Sequence, residues 1–173
     1  MVPSERIVLK SIQDPHQQEF KSLQAEFELT TPVLQLMWQR GLTTSKAIRD
    51  FLHPDLQGLH SPWDLHGMEA AVDLLMEALD NEEPIWIHGD YDVDGTCGVT
   101  LLMEGLGQLG AQVSYWVPDR FQEGYGLSKK SVEEAAKSGH RLILTVDCGS
   151  SSFEAIQLAK SKDMCVIVTD HHH

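Results

Sequence analysis

The chain changes its hydrophobic rhythm at Pro84. Before it, apolar positions recur at three- and four-residue steps, and Met68, Ala71, Val72, Leu75, Met76 and Leu79 share one face of a predicted helix. Two earlier helices carry explicit punctuation. Thr31 is placed to cap a helix with Pro32 at its first position and Gly41 just past its end; Thr43 or Thr44 can start another that closes at Leu52, before His53-Pro54. Pro54, Gly58 and Pro62 mark the span from His53 to Asp64 as an irregular connection. Residues 1–83 therefore read as a helical region.

After Pro84 the pattern turns to short apolar, β-branched runs at Ile85–Ile87, Val113–Val117, Leu142–Val146 and Cys165–Val168. Amphipathic segments near 96–109, 128–138 and 152–161 separate them. Such alternation predicts right-handed βαβ units and an α/β domain over 84–173, a parallel sheet with helices on both faces, capped by the preceding helices. Trp38, Trp63, Trp86 and Trp116 are expected in the core.

Composition narrows the function classes. The 173 residues are 42% hydrophobic and 23% charged, enough to bury one large domain or a domain plus an appendage. There is no apolar run near 18 residues, and Glu5, Arg6, Lys10, Asp14 and Glu19 interrupt the first twenty, so neither a membrane span nor a signal peptide is predicted and a cytoplasmic location is expected. Cys97, Cys148 and Cys165 form no C-x-x-C pair, which argues against a zinc ribbon or disulfide framework and suggests small buried residues. Thirteen basic against 26 acidic residues give a net charge of −13, which opposes any broad electrostatic grip on nucleic acid. Local binding, helped by divalent cations, is compatible with it.

In an open α/β sheet, ligands sit beyond the carboxyl ends of the strands. That edge is where polar residues gather: His88, Asp90, Asp92 and Asp94 after the first run, Asp119 and Arg120 after the second, Asp147 after the third, and Asp170, His171 and His172 after the fourth. In G-D-Y-D-V-D-G an extended loop would project Asp90, Asp92 and Asp94 to one side, where they repel unless a cation lies between them. Gly95 is expected to supply a backbone conformation closed to other residues. Taken alone, this D-x-D is as readily a solvated turn or a helix-capping loop, and Asp147 in V-D-C-G as readily a helix cap. Two histidines after a buried strand have no packing rationale; the alternative is a purification tag beginning at His171, against which stands its coincidence with a strand end that calls for imidazole. The mixed nitrogen and oxygen set without thiolate suits Mn²⁺ or Mg²⁺, and its size suits two ions about 3.5–4 Å apart, an arrangement fitted to in-line displacement at phosphorus.

HGDYDVDG (88–95), VDCG (146–149) and TDHH (169–172) resemble the first three motifs of the DHH phosphoesterase superfamily, most nearly its RecJ-type single-strand-specific exonucleases. VPDRFQEGYGL (117–127) and the lead-in RGL (40–42), FLHPDL (51–56) and GMEAAV (67–72) extend the resemblance over nearly the whole chain. It implies that His88, Asp92, Asp94, Asp147 and His171 are metal ligands. By the same resemblance Asp90 and His172 face the ligands or substrate, with His172 polarising the scissile phosphate or assisting its leaving group. Arg120, Gly124, Tyr125 and Gly126 would hold the strand, Arg120 on phosphate and Tyr125 by stacking or hydrogen bonding. From spacing alone, Tyr125 is equally a loop aromatic packed on the sheet edge.

The implied activity is metal-dependent removal of nucleotides from the 5′ end of single-stranded DNA, in repair or recombination, with a helicase and a single-strand-binding protein as possible partners. Complete family members continue to a further metal-binding aspartate and a C-terminal DHH-associated domain, so this chain reads as an N-terminal part. Rival readings are an oligonucleotide or cyclic-dinucleotide phosphodiesterase, an inorganic pyrophosphatase, and a non-catalytic nucleic-acid-binding or scaffold module.

Overall fold

The computed structural model describes residues 17–172. The beginning of the expected helical region, with Glu5, Arg6, Lys10 and Asp14, and His173 lie outside the described residues. The chain divides into two compact units, Met1–Ser61 and Pro62–His173.

In the first unit, helices α1 (Gln17–Phe27), α2 (Thr31–Gln39) and α3 (Ser45–Leu52) enclose Phe20, Leu23, Leu34, Met37 and Ile48. The half-buried Trp38 meets Phe20 edge-on, with ring centroids 5.8 Å apart. Helix α2 starts one residue earlier than its punctuation suggests. Thr30 is the cap, because its carbonyl already accepts from Leu34 N at 3.1 Å, and Pro32 falls at the second position. Gly41 ends the helix with φ +84°, while Leu42 N donates to Met37 O and Gly41 N to Trp38 O, the paired bonds of a left-handed C-terminal cap. Thr44 caps α3 through a bond from Ala47 N. Asp55 caps a single 3₁₀ turn at Leu56–Gly58 in the stretch expected to be irregular.

The second unit opens with another 3₁₀ turn, Pro62–Asp64, and helix α4 (Met68–Asp80). There follow β1 (Ile85–Gly89), α5 (Val93–Gln108), β2 (Val113–Trp116), α6 (Lys129–Lys137), β3 (Leu142–Val146), α7 (Phe153–Ser161) and β4 (Cys165–Thr169). All pairings are parallel, in the order β2-β1-β3-β4. Strand residues alternate between two cores, as the pleat requires. Ile85, Ile87, Leu142, Leu144 and Ile167 pack with Ala78 of α4 and with Val99 and Leu106 of α5. Trp86 and Ile143 pack on the other face with Val132 and Ala135 of α6 and Ala155 and Ala159 of α7. A residue such as Ile87, fully enclosed, contributes about 1.5–3 kcal/mol through burial. The α/β architecture with helices on both faces is thus the one the rhythm predicts.

Three packing expectations need correction. Trp63 is 63% exposed, because the 3₁₀ turn that carries it lies on the surface and contributes nothing to either core of its unit. Cys97 points outward from α5 and Cys165 opens the outer strand β4, so both are exposed and only Cys148 is buried. Because the chain reaches β2 through α5 and then returns across the other face through α6 to β3, the crossover direction reverses between β1 and β3. A crevice at the carboxyl ends of those two strands follows from that reversal.

Candidate metal centre

At this crevice the chain leaves β1 through Asp90, which is 2% exposed, and turns at once into α5. Asp92 is the helix cap, its Oδ1 accepting from Gly95 N at 3.0 Å, and Asp94 lies in the first turn. The three acids therefore do not alternate along an extended loop: helix formation from Val93 rotates Asp94 away from that line. Gly95 is needed for room rather than for an unusual φ, since a Cβ there would sit 2.6 Å from both N and O of Asp90.

Asp147 ends β3 by the opposite device. Its N–H still donates to Thr169 O at 2.9 Å, continuing the ladder to β4, and its backbone then takes the left-handed conformation, φ +61°. For a non-glycine residue that costs of order 1–3 kcal/mol, least for Asp and Asn. The result is a side chain aimed at the end of β4. Asp147 Oδ1 lies 2.9 Å from His171 Nε2, and Asp94 Oδ2 approaches the same nitrogen at 3.5 Å. Ligand atoms of Asp147, His171 and His172 all fall within 4.8 Å of one another.

Two buried carboxylate oxygens, Asp90 Oδ1 and Asp147 Oδ2, have no hydrogen-bond partner. Burial raises the Asp90 pKa, and the neighbouring Asp92 and Asp147 charges add to the rise while the Tyr91 N–H opposes it. Orphaned acceptors among crowded acids are the local signature of a cation site, and the donor set is hard oxygen and imidazole nitrogen, so the residues present fit Mn²⁺ or Mg²⁺. Cys148 offers no thiolate. Burial, followed by the Asp90, Asp170 and Asp147 charges, pushes its thiol up to about 12.

His88 is placed differently from the other predicted ligands. It belongs to β1 itself, in register with Thr145, and shares the face of Trp86 that packs toward α6. Nδ1 lies 2.8 Å from Ser131 Oγ and Nε2 3.2 Å from Gly126 O. Because a carbonyl only accepts, Nε2 carries the hydrogen. Burial lowers the His88 pKa to about 4, against the smaller opposing effects of Gly126 and Glu123. The structure thus gathers Asp94, Asp147, His171 and His172, sets Asp90 and Asp92 at their border, and gives both His88 nitrogens to protein partners.

Asp170 is a participant that the sequence placed at the edge without a role. It accepts from Ser150 N (2.9 Å) and His172 N (3.0 Å), and its Oδ1 lies 2.9 Å from His172 Nδ1. Although burial works the other way, these bonds hold its carboxyl well below the usual carboxylate range. The bond to Asp170 in turn raises the His172 pKa. Asp170's position as the D of T-D-H-H was the available signal; Ser131, 43 residues from His88, had none.

The loop after β2 reaches the same place. Gly124 and Gly126 take φ +77° and +84°, conformations that let the chain double back over the crevice. Tyr125 OH donates to Asp147 O at 3.1 Å and lies 2.8 Å from His172 Nδ1. Burial and the surrounding carboxylates push its phenol up to about 12. Arg120 extends its guanidinium over the Tyr91 ring, 5.3 Å from the centroid, so it stands beside the acidic loop.

Residues 84–173 fit the family described as "DHH family, N-terminal domain". The chain belongs to the DHH family. Its DHH relatives include the single-stranded-DNA-specific exonuclease RecJ of Bacillus subtilis (strain 168), 37% identical over 161 residues that make up 93% of this chain and 20% of the relative. RecJ of Haemophilus influenzae is 45% identical over 118 residues, 68% of this chain and 20% of its own. Among solved structures, RecJ from Thermus thermophilus in complex with Mn²⁺ superposes with a TM-score of 0.66 at 31% identity, covering 95% of this DHH chain and 22% of the other. The chain spans about a fifth of the length of these curated relatives. Among the described residues, no helix is long and apolar enough to cross a membrane.

Proposed function

We propose that the protein to which this chain belongs hydrolyses phosphodiester bonds with two Mn²⁺ or Mg²⁺ ions and removes nucleotides from the 5′ end of single-stranded DNA. One observation carries the reading: Asp90 and Asp147, both buried and the second in contact with His171, each keep a carboxylate oxygen without a partner. The relatives' names and the Mn²⁺ complex of a solved relative support the substrate and the ion.

In this reading Asp92, Asp94, Asp147 and His171 hold the ions, and Asp90 supplies the buried charge behind them. His88 takes part in its expected ligand role only by giving up Gly126 or Ser131 as a partner. Bound divalent ions lower the pKa of a coordinated water and offset charge developing at phosphorus. His172, held through Nδ1 by Asp170, keeps Nε2 for the scissile phosphate or its leaving oxygen. Arg120 grips backbone phosphate, and Tyr125, with Gly124 and Gly126 shaping its loop, orders the crevice wall. A helicase that opens duplex and a protein that keeps the strand single are the partners such an activity would use, and the cytoplasm is its compartment.

The test is hydrolysis by the full-length protein, with excess Mn²⁺, of a single-stranded 20-mer, a dinucleotide and pyrophosphate. The 20-mer should be preferred, and Asp94→Ala and Asp147→Ala should each abolish its cleavage. Near-normal cleavage by either variant would overturn the metal assignment, and preference for one of the small substrates would overturn the nuclease reading.

A further inference from the structure

Beyond Tyr125 the crevice opens into a groove with room for about 760 Å³, bounded by Leu127, Lys129, Ser151, Ser152 and Phe153 as well as by Tyr125 itself. Its walls are fixed. Leu127 N donates to Ser152 Oγ at 3.1 Å, tying the loop to the start of α7. Lys129 is paired with Glu154 at 2.7 Å, so the acid on this rim is matched. Phe153, the first residue of α7, is 71% exposed, and Tyr125 is 46% exposed. A phenylalanine left in water at a rigid helix position is an unused apolar face, and here it borders a space of the size that small ligands occupy.

We propose that this groove receives the nucleotide next to the scissile phosphate, with its base stacked on Phe153. The proposal rests on the single-strand nuclease reading given above. Continuity argues for a nucleotide: Tyr125 lines the groove and touches both Asp147 and His172, so a strand with its phosphate at the candidate centre has a direct path to Phe153. Stacking on an aromatic ring tolerates every base, which suits an enzyme that must digest any sequence. The groove therefore grips bases without reading them, and phosphate recognition is left to Arg120 and the centre.

The test compares full-length wild type, Phe153→Ala and Phe153→Tyr, each with native circular dichroism, on a single-stranded 20-mer with Mn²⁺. A parallel set of 20-mers carries one abasic residue at each of the first four positions from the 5′ end. Phe153→Ala should raise KM roughly tenfold with kcat nearly unchanged, the loss expected for one stacked base, and Phe153→Tyr should restore it. At one abasic position wild type should lose the same factor, and Phe153→Ala should lose nothing further there. If Phe153→Ala matches wild type on the intact strand, or its loss adds fully to that of every abasic position, the groove assignment is wrong while the nuclease reading stands. If wild type cleaves no single strand, the nuclease reading itself fails and the groove assignment falls with it.

Discussion

Glu123 and Asp147 are both acids in loops at the carboxyl end of the sheet, with side chains 7% and 5% exposed. Glu123 accepts from Trp116 Nε1, Ser128 Oγ, Lys130 Nζ and the Asp119 N–H, at 3.2 to 3.4 Å. Burial opposes its ionisation, yet those bonds hold its pKa below the usual value. Asp147 has His171 on one oxygen and nothing on the other. The first carboxylate has its acceptors filled and knits its own loop; the second keeps one oxygen open for the ion proposed above. Burial alone does not distinguish the two acids, whereas the tally of their hydrogen bonds does.

Neutralising each acid in turn should separate the two most widely. Asp147→Asn keeps the left-handed backbone that Asn tolerates, and should cut Mn²⁺-dependent cleavage by more than about 100-fold, above the range typical for groups that only support a ligand. Metal-free thermal stability of that variant should be unchanged or higher, since a buried charge lacking one partner is removed. Equal loss of activity in Glu123→Gln would erase the distinction.

Metal removal gives the next largest effect. Mn²⁺ at a hundred times its dissociation constant should stabilise the wild-type fold by about 2.7 kcal/mol over the chelated protein. Calorimetry should find that gain retained in Glu123→Gln and lost in Asp147→Asn. Glu123→Gln itself should cost about 1.5 kcal/mol in urea unfolding, because charge-assisted bonds to Lys130 and Trp116 weaken, with or without metal.

The smallest effect tests a buried histidine away from both acids. His140 packs edge-on to Trp86 at 4.9 Å, its Nε2 has no partner, and burial lowers its pKa from 6.5. A depressed folded pKa means that the unfolded chain binds the proton first. Stability should therefore be full above pH 6.5 and fall as pH drops below it, until the folded-state pKa is reached. His88 titrates with the same sign, so His140→Leu should flatten only part of the slope in denaturation series at pH 7.5 and 5.5.

Much of this was legible in the sequence for a physical reason. Fully enclosed parallel strands must be apolar runs, so Ile85–Ile87 and Leu142–Val146 announced themselves, and acids directly after such runs could only stand at the sheet edge. What the sequence concealed was direction. Whether His88 faced the centre depended on whether β1 ended at Ile87 or at Gly89, because one strand position reverses a side chain. The extended loop expected for Asp90, Asp92 and Asp94 gave way to a helix because Asp92 caps it and Gly95 lets it close against Asp90. Surface placement of Trp63 did have a local signal, since it follows Pro62 within the span read as an irregular connection, and such connections run over the surface.

β4, like β2, is an outer strand of the described sheet, and it pairs on one side with β3. It also delivers Asp170, His171 and His172. Outer strands open to solvent more readily than central ones, so within the described sheet the two histidines hang from less protected backbone than β1 or β3. Divalent ions that join His171 to Asp147 would then act as a clasp on that strand. Amide hydrogen exchange at Ile167 and Thr169, whose backbone faces β3, should slow on adding Mn²⁺ far more than exchange at Ile87 or Leu144.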